Sequence, residues 1–97
     1  MKTEDLSREV ISKLTDEGRT LATAESCTGG LLGKLLTDVS GASSVYVGGV
    51  ISYTNEVKHR LLGVSRQTLE RHTAVSAETA GEMARGARRL LGADIAV

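Results

Sequence analysis

The sequence predicts an α/β fold. Short apolar segments alternate with amphipathic helical ones along the whole chain, and one of the strands carries apolar residues on both faces, as strands covered by helices on two sides do. A strand followed directly by a glycine-rich turn and a helix adds to the prediction.

From Glu4 to Glu17, Leu6, Val10, Ile11 and Leu14 fall at the period of one helical face, and Gly18 stands where a helix-ending glycine belongs. Thr20 to Ala24 is short and β-compatible. Glu25-Ser26-Cys27-Thr28-Gly29-Gly30 then turns the chain into a helix bearing Leu31, Leu32, Leu35 and Leu36, which Asp38-Val39-Ser40-Gly41 ends. Val45 to Tyr53 reads as a central strand, with Val45, Val47, Val50 and Ile51 as its apolar residues. Gly48-Gly49 within it marks a bulge, or a place where another backbone or a ligand comes close. Thr54 caps a helix from Asn55 to Leu62 stopped by Gly63, and Ser65 caps a short one through Arg71. Ser76 caps the most regular helix, with Ala80, Met83, Ala84, Ala87, Leu90 and Leu91 on one face and Gly92 at its end. Glu78 and Glu82 lie early in it and Arg85, Arg88 and Arg89 late, which complements the helix dipole and reads as structural rather than as a nucleic-acid patch. Ala93 to Val97 looks like a strand entering a sheet. Such a strand normally leads into a ligand-binding loop at its carboxyl end, so the fold is expected to be incomplete at the C-terminal end.

Ninety-seven residues make one domain, 1–97. Surface scaling gives ~5,300 Å² exposed when folded against ~14,800 Å² unfolded, a modest core. With 40% hydrophobic and 25% charged residues, disorder and collagen are excluded. Tyr46 and Tyr53 are the only aromatics, which argues against a base-stacking platform. Twelve basic residues balance twelve acidic ones, so neither nucleic acid nor an anionic membrane is an expected partner. A single cysteine, Cys27, forms no internal disulfide, no Cys/His set has zinc-ligand spacing, and there is no apolar run of about 18 residues. A cytoplasmic protein without a metal is the expectation.

The loop from Glu25 to Gly30 is the strongest local signal for chemistry. Its glycines let a ligand approach the backbone, and free N–H groups at a helix start suit a phosphate or a developing oxyanion. A plain turn, with Ser26 or Thr28 capping the helix, is the competing interpretation. Cys27 invites a nucleophile reading, but a buried small hydrophobe is favoured. His59 and His72 read as surface or helix-end residues. Lys58 falls in the first turn of a helix that follows a strand, near the sheet's carboxyl edge where the glycine loop should also lie. The helix dipole and desolvation would both favour the neutral amine that a general base requires, whereas a solvated lysine paired with Glu56 is the alternative. Tyr53 either hydrogen-bonds a substrate or tunes Lys58, or packs in the core with its hydroxyl at the rim.

Taken together, Glu25 to Gly30, Gly41-Ala42-Ser43-Ser44-Val45-Tyr46, Gly49 to Lys58, Leu62-Gly63-Val64 and Ala74-Val75-Ser76 resemble the CinA C-terminal domain family, whose members are nicotinamide mononucleotide deamidases. The resemblance implies a three-layer α/β/α sandwich and hydrolysis of nicotinamide mononucleotide to nicotinate mononucleotide and ammonia, with no cofactor. It implies Ser26 as nucleophile, with Thr28 the other hydroxyl in the loop, Lys58 as base and Tyr53 as a neighbour that orients or relays the proton. Thr28, Gly29 and Gly30 would bind substrate. Two departures stand out. Thr73 replaces the family's glycine before Ala-Val-Ser, and the family's Thr-Gly-Ile-Ala-Gly-Pro loop after Ala93 to Val97 is absent. The leading reading is therefore a nicotinamide-nucleotide amidase. The alternative is a non-catalytic, truncated remnant that binds a nucleotide or forms oligomers. An exposed sheet edge favours a homo-oligomer in either case.

Overall fold

A five-residue strand, β1 (Leu21–Glu25), organises the chain. In the computed structural model, which describes residues 2–97, β1 lies between β2 (Tyr46–Ile51) and β3 (Ile95–Ala96), both parallel to it. Side chains alternate across a strand, so Leu21 faces one side of the sheet and Ala22 and Ala24 the other. On the first side α1 (Thr3–Glu17) and α2 (Leu31–Thr37) bring Ile11, Leu14 and Leu36 onto Leu21 and Val45. On the second, α3 (Asn55–Leu62) and α5 (Ala77–Leu91) bring Leu62, Met83 and Ala87 onto Ala24, Val50 and Ala96. Three layers result, α/β/α, with α4 (Arg66–His72) packed beside α5.

The caps sit where the sequence places them. Thr54, Ser65 and Ser76 accept hydrogen bonds from the N–H groups of Val57, Thr68 and Thr79, and Gly18, Gly63 and Gly92 close their helices in the left-handed conformation. No helix among the described residues is long and apolar enough to cross a membrane.

Three expectations need correcting. The segment Val45 to Tyr53 is not a central strand: β1 already pairs on both sides, so the shorter strand Tyr46–Ile51 lies at the edge, with Val47 and Ile51 47% and 55% exposed. Val45 is buried before it, and Ser52 and Tyr53 have already left it. The buried face of α5 is Thr79, Met83, Gly86 and Ala87, while Ala80 and Leu90 are exposed. Close approach of α3 sets that face, because Leu62 presses its carbonyl against Gly86. On α1, Ile11 and Leu14 are buried but Leu6 and Val10 are exposed. Val10 instead borders an open apolar groove of about 320 Å³ that Leu32, Ile95 and Val97 also line.

The expected bulge lies one residue earlier, beside Gly48-Gly49, and what crowds Gly49 is chiefly two side-chain hydroxyls rather than a backbone or a ligand. Val47 is the extra residue between Tyr46, opposite Leu21, and Gly48, opposite Ala22. The parity change puts Tyr46 and Gly49 on one face, where a Cβ on Gly49 would lie 2.6 Å from the Tyr46 hydroxyl and 2.2 Å from Thr23 Oγ1.

Thr73 adopts φ 66° and ψ 174°, a region that essentially only glycine visits. It is held there because its carbonyl accepts hydrogen bonds from the hydroxyls of Ser76 (3.1 Å) and buried Thr79 (2.7 Å). Thr73→Gly is expected to stabilise the protein by about 1 kcal/mol, the relieved strain outweighing the added freedom of the unfolded chain, and to raise Tm by ~4–8 °C. Thermal unfolding checks this; an unchanged or lower Tm contradicts it.

Candidate active site

Parallel pairing brings the carboxyl ends of β1 and β2 to the same edge. Glu25 sits opposite Ile51, and the Ser52 N–H donates to the Glu25 carbonyl at 2.7 Å. The loop carrying Ser26 therefore meets the turn carrying Ser52 and Tyr53. Thr54 then caps α3, whose first turn returns Lys58 beneath this junction.

Lys58 is 2% exposed. Its Nζ donates to Ser26 Oγ at 2.9 Å, to the Ser52 carbonyl at 2.8 Å and to the Tyr53 carbonyl at 3.3 Å. Burial pushes its pKa below the ordinary lysine value, and the nearby Cys27 thiol opposes that shift in part. Glu56 is not its partner, since it pairs with Arg66 instead. The geometry suits a base. An ammonium has three N–H groups for three oxygens; a neutral amine keeps two for the carbonyls and turns its lone pair toward the Ser26 hydroxyl.

The remaining candidates divide. Tyr53 joins Lys58 through its backbone carbonyl, while its side chain is 74% exposed, so core packing does not hold for it. Cys27 is exposed, against the expectation of a buried small hydrophobe, because the turn lifts it off the sheet. Thr28 directs its hydroxyl to Glu25 Oε1 at 2.9 Å, away from Lys58. Gly29 commits its N–H to the Ser26 carbonyl. Gly30 adopts φ 106° and lies close to Ile51, whose Cδ1 would be 2.9 Å from an added Cβ. Neither histidine joins the site: His59 Nδ1 lies 2.8 Å from the Val64 carbonyl oxygen and His72 faces Glu78.

A further group escapes the sequence reading. The Glu25 carboxylate is buried at the start of α2, where it accepts from the N–H groups of Leu32 (2.7 Å) and Gly33 (3.0 Å) and from Thr28; Thr23 Oγ1 donates from 3.4 Å and also meets the Tyr46 hydroxyl at 2.6 Å. The helix terminus that suggested an exogenous anion is thus filled by the chain's own carboxylate. An acidic residue closing an otherwise apolar strand was the available signal.

Comparison with known proteins agrees with this layout. The CinA C-terminal domain family matches residues 3–97. A CinA-like protein of Thermotoga maritima is 49% identical over 94 residues, covering 97% of this chain and 23% of that protein. A putative competence-damage inducible protein of a Thermoanaerobacter species is 55% identical over 92 residues, covering 94% of this chain and 22% of that one. Among solved structures, the competence damage-inducible protein A of Klebsiella pneumoniae superposes with a TM-score of 0.96 at 41% identity, over 99% of this chain and 60% of that one. The competence/damage inducible protein CihA of Agrobacterium tumefaciens gives 0.94 at 44%, over 97% and 57%. The chain spans less than a quarter of the curated relatives' length and under two thirds of the solved chains. With its ordered motifs, its three-layer fold and a family match over nearly every residue, the chain belongs to the CinA C-terminal domain family.

Proposed function

We propose that this chain carries a serine–lysine amidase site acting on the carboxamide of nicotinamide mononucleotide, a small-molecule substrate, with no cofactor. The observation that carries the reading is the 2.9 Å contact between Ser26 Oγ and the buried Lys58 Nζ. A nucleophilic hydroxyl and its base need that separation.

Neutral Lys58 takes the proton of Ser26 as Oγ bonds to the amide carbon. The N–H groups of Thr28 and Gly30, which have no hydrogen-bond acceptor among the described residues, are free to hold the oxygen as it becomes negative. Gly29 contributes the turn that exposes them. The C–N bond then breaks, and ammonia leaves with the proton from Lys58. Water hydrolyses the resulting ester, giving its proton to Lys58, and Ser26 recovers its own as nicotinate mononucleotide departs. Tyr53, at the rim, orients the substrate or relays the proton.

Purified protein incubated with nicotinamide mononucleotide is expected to release ammonia. Ser26→Ala should reduce release to background, and Cys27→Ala should leave it within about threefold, since the thiol has no part in the step. Loss of activity in Cys27→Ala alone would move the nucleophile to Cys27. Retained nucleotide binding without any ammonia from the unaltered chain would favour the non-catalytic reading.

A further inference from the structure

Glu25, at the end of β1, and Lys58, in the first turn of α3, are both buried, yet they do not pair. Each is satisfied by neutral groups: the carboxylate by two backbone N–H groups and two hydroxyls, the amine by one hydroxyl and two carbonyls. Burying an unpaired carboxylate is expensive, and a serine or threonine caps a helix without that cost. The surroundings are shaped to this carboxylate. A Cβ on Gly33 would lie 3.2 Å from Glu25 Oε2 and 2.7 Å from the Tyr46 hydroxyl, so the first turn of α2 leaves room for both only because that residue lacks a side chain.

Glu25 is also held through its backbone. Its carbonyl accepts from the N–H (2.7 Å) and the Oγ (3.2 Å) of wholly buried Ser52, and the Ser52 carbonyl accepts from Lys58. These bonds close a ring running from Ser26 Oγ to Lys58, to Ser52, to Glu25 and back to Ser26. We propose that Glu25 is a positioning residue for the Ser26–Lys58 pair: clamped by its side chain to α2 and by its carbonyl to Ser52, it fixes Ser26 Oγ over the amine, its carboxylate engaged by groups other than Lys58. The proposal rests on the serine–lysine reading above. It adds a reason for the carboxylate, which touches no reacting atom.

A fluorophosphonate probe tests the clamp without requiring turnover. Ser26 Oγ bonds to phosphorus, fluoride leaves, and the Ser26 proton passes to Lys58, so the labelling rate reads the placement of the hydroxyl. Misplacement by about 1 Å costs ~100-fold. Glu25→Gln is expected to slow labelling of Ser26, followed by mass spectrometry, about 100-fold, and Thr28→Val about three- to tenfold, with cooperative unfolding retained. The titration of Lys58, followed by NMR on lysine-labelled protein, should move back toward the ordinary lysine value in both, as the loosened loop admits water. A merely structural cap would lower Tm without moving that titration. Wild-type labelling rates in folded variants would overturn the proposal; if Glu25→Gln does not fold, Thr28→Val decides it. If the unaltered Ser26 is not labelled but the Lys58 titration moves in the variants, the clamp stands and the nucleophile assignment falls. If neither responds, both fall.

Discussion

Lys58→Met is expected to reduce acylation of Ser26 at least about 100-fold, since general base catalysis supplies ~10²–10⁴ and Lys58 is the basic side chain that meets the hydroxyl among the described residues. Lys58→Arg should be as inactive, because a guanidinium stays protonated. In the unaltered protein the rate should climb with pH through the depressed pKa of Lys58 and level off before the ordinary lysine value near 10.5. Stability should follow the same group. Burial lowers the folded-state pKa below the unfolded one, so between the two values the unfolded chain holds a proton that the folded one has lost. Stability therefore rises with pH across that window, and the increment disappears as pH falls to the folded pKa. Urea unfolding at a series of alkaline pH values should show this slope in the wild type and a flatter one in Lys58→Met. Equal slopes would contradict the assignment.

Gly86→Ala should produce the largest loss of stability. Alanine normally favours a helix interior by about 0.5–1 kcal/mol over glycine. Here a Cβ would lie 1.9 Å from the Leu62 carbonyl oxygen and 2.6 Å from its carbon, both backbone atoms that cannot rotate aside. The helices must separate, at a cost of about 3 kcal/mol or more out of a total of ~5–15. Tm should fall by at least ~12 °C. Gly81→Ala in the same helix is the control. Its Cβ would meet only the flexible Arg85 side chain, so that variant should be neutral or slightly more stable. A Gly86→Ala protein as stable as the control would refute the account. Since α3 carries Lys58, displacing it should also slow labelling of Ser26.

What the sequence makes legible here is what is decided within a few residues. Ser65 and Ser76 announce their helices because a cap and its N–H partner lie three residues apart, and Gly63 ends one because its conformation is a local matter. Ser26 and Lys58 can be singled out because each follows a strand, and parallel strands end at one edge. The rest depends on which groups meet across long separations. Val45 to Tyr53 is as apolar as a central strand would be, and only the pairing of β3 with β1 consigns it to the edge. The tight contact at Gly86 depends on Leu62 of another helix. Likewise the role of Glu25 emerges only when Leu32, Gly33, Thr23 and Ser52 surround it.

The order of the sheet, β2-β1-β3, has a consequence for how the chain is made. Its middle strand is the first to leave the ribosome and the last to be enclosed, since β2 follows some twenty residues later and Thr20 bonds to Asp94 across 74 positions. Until then one edge of β1 has no strand to pair with, and closing so long a loop carries an entropic cost that only the assembled layers repay. Vectorial synthesis thus delivers Ser26, then Lys58, and only afterwards the strand that locks the sheet bearing both, so the Ser26–Lys58 contact should mature only once β3 has emerged and paired with β1.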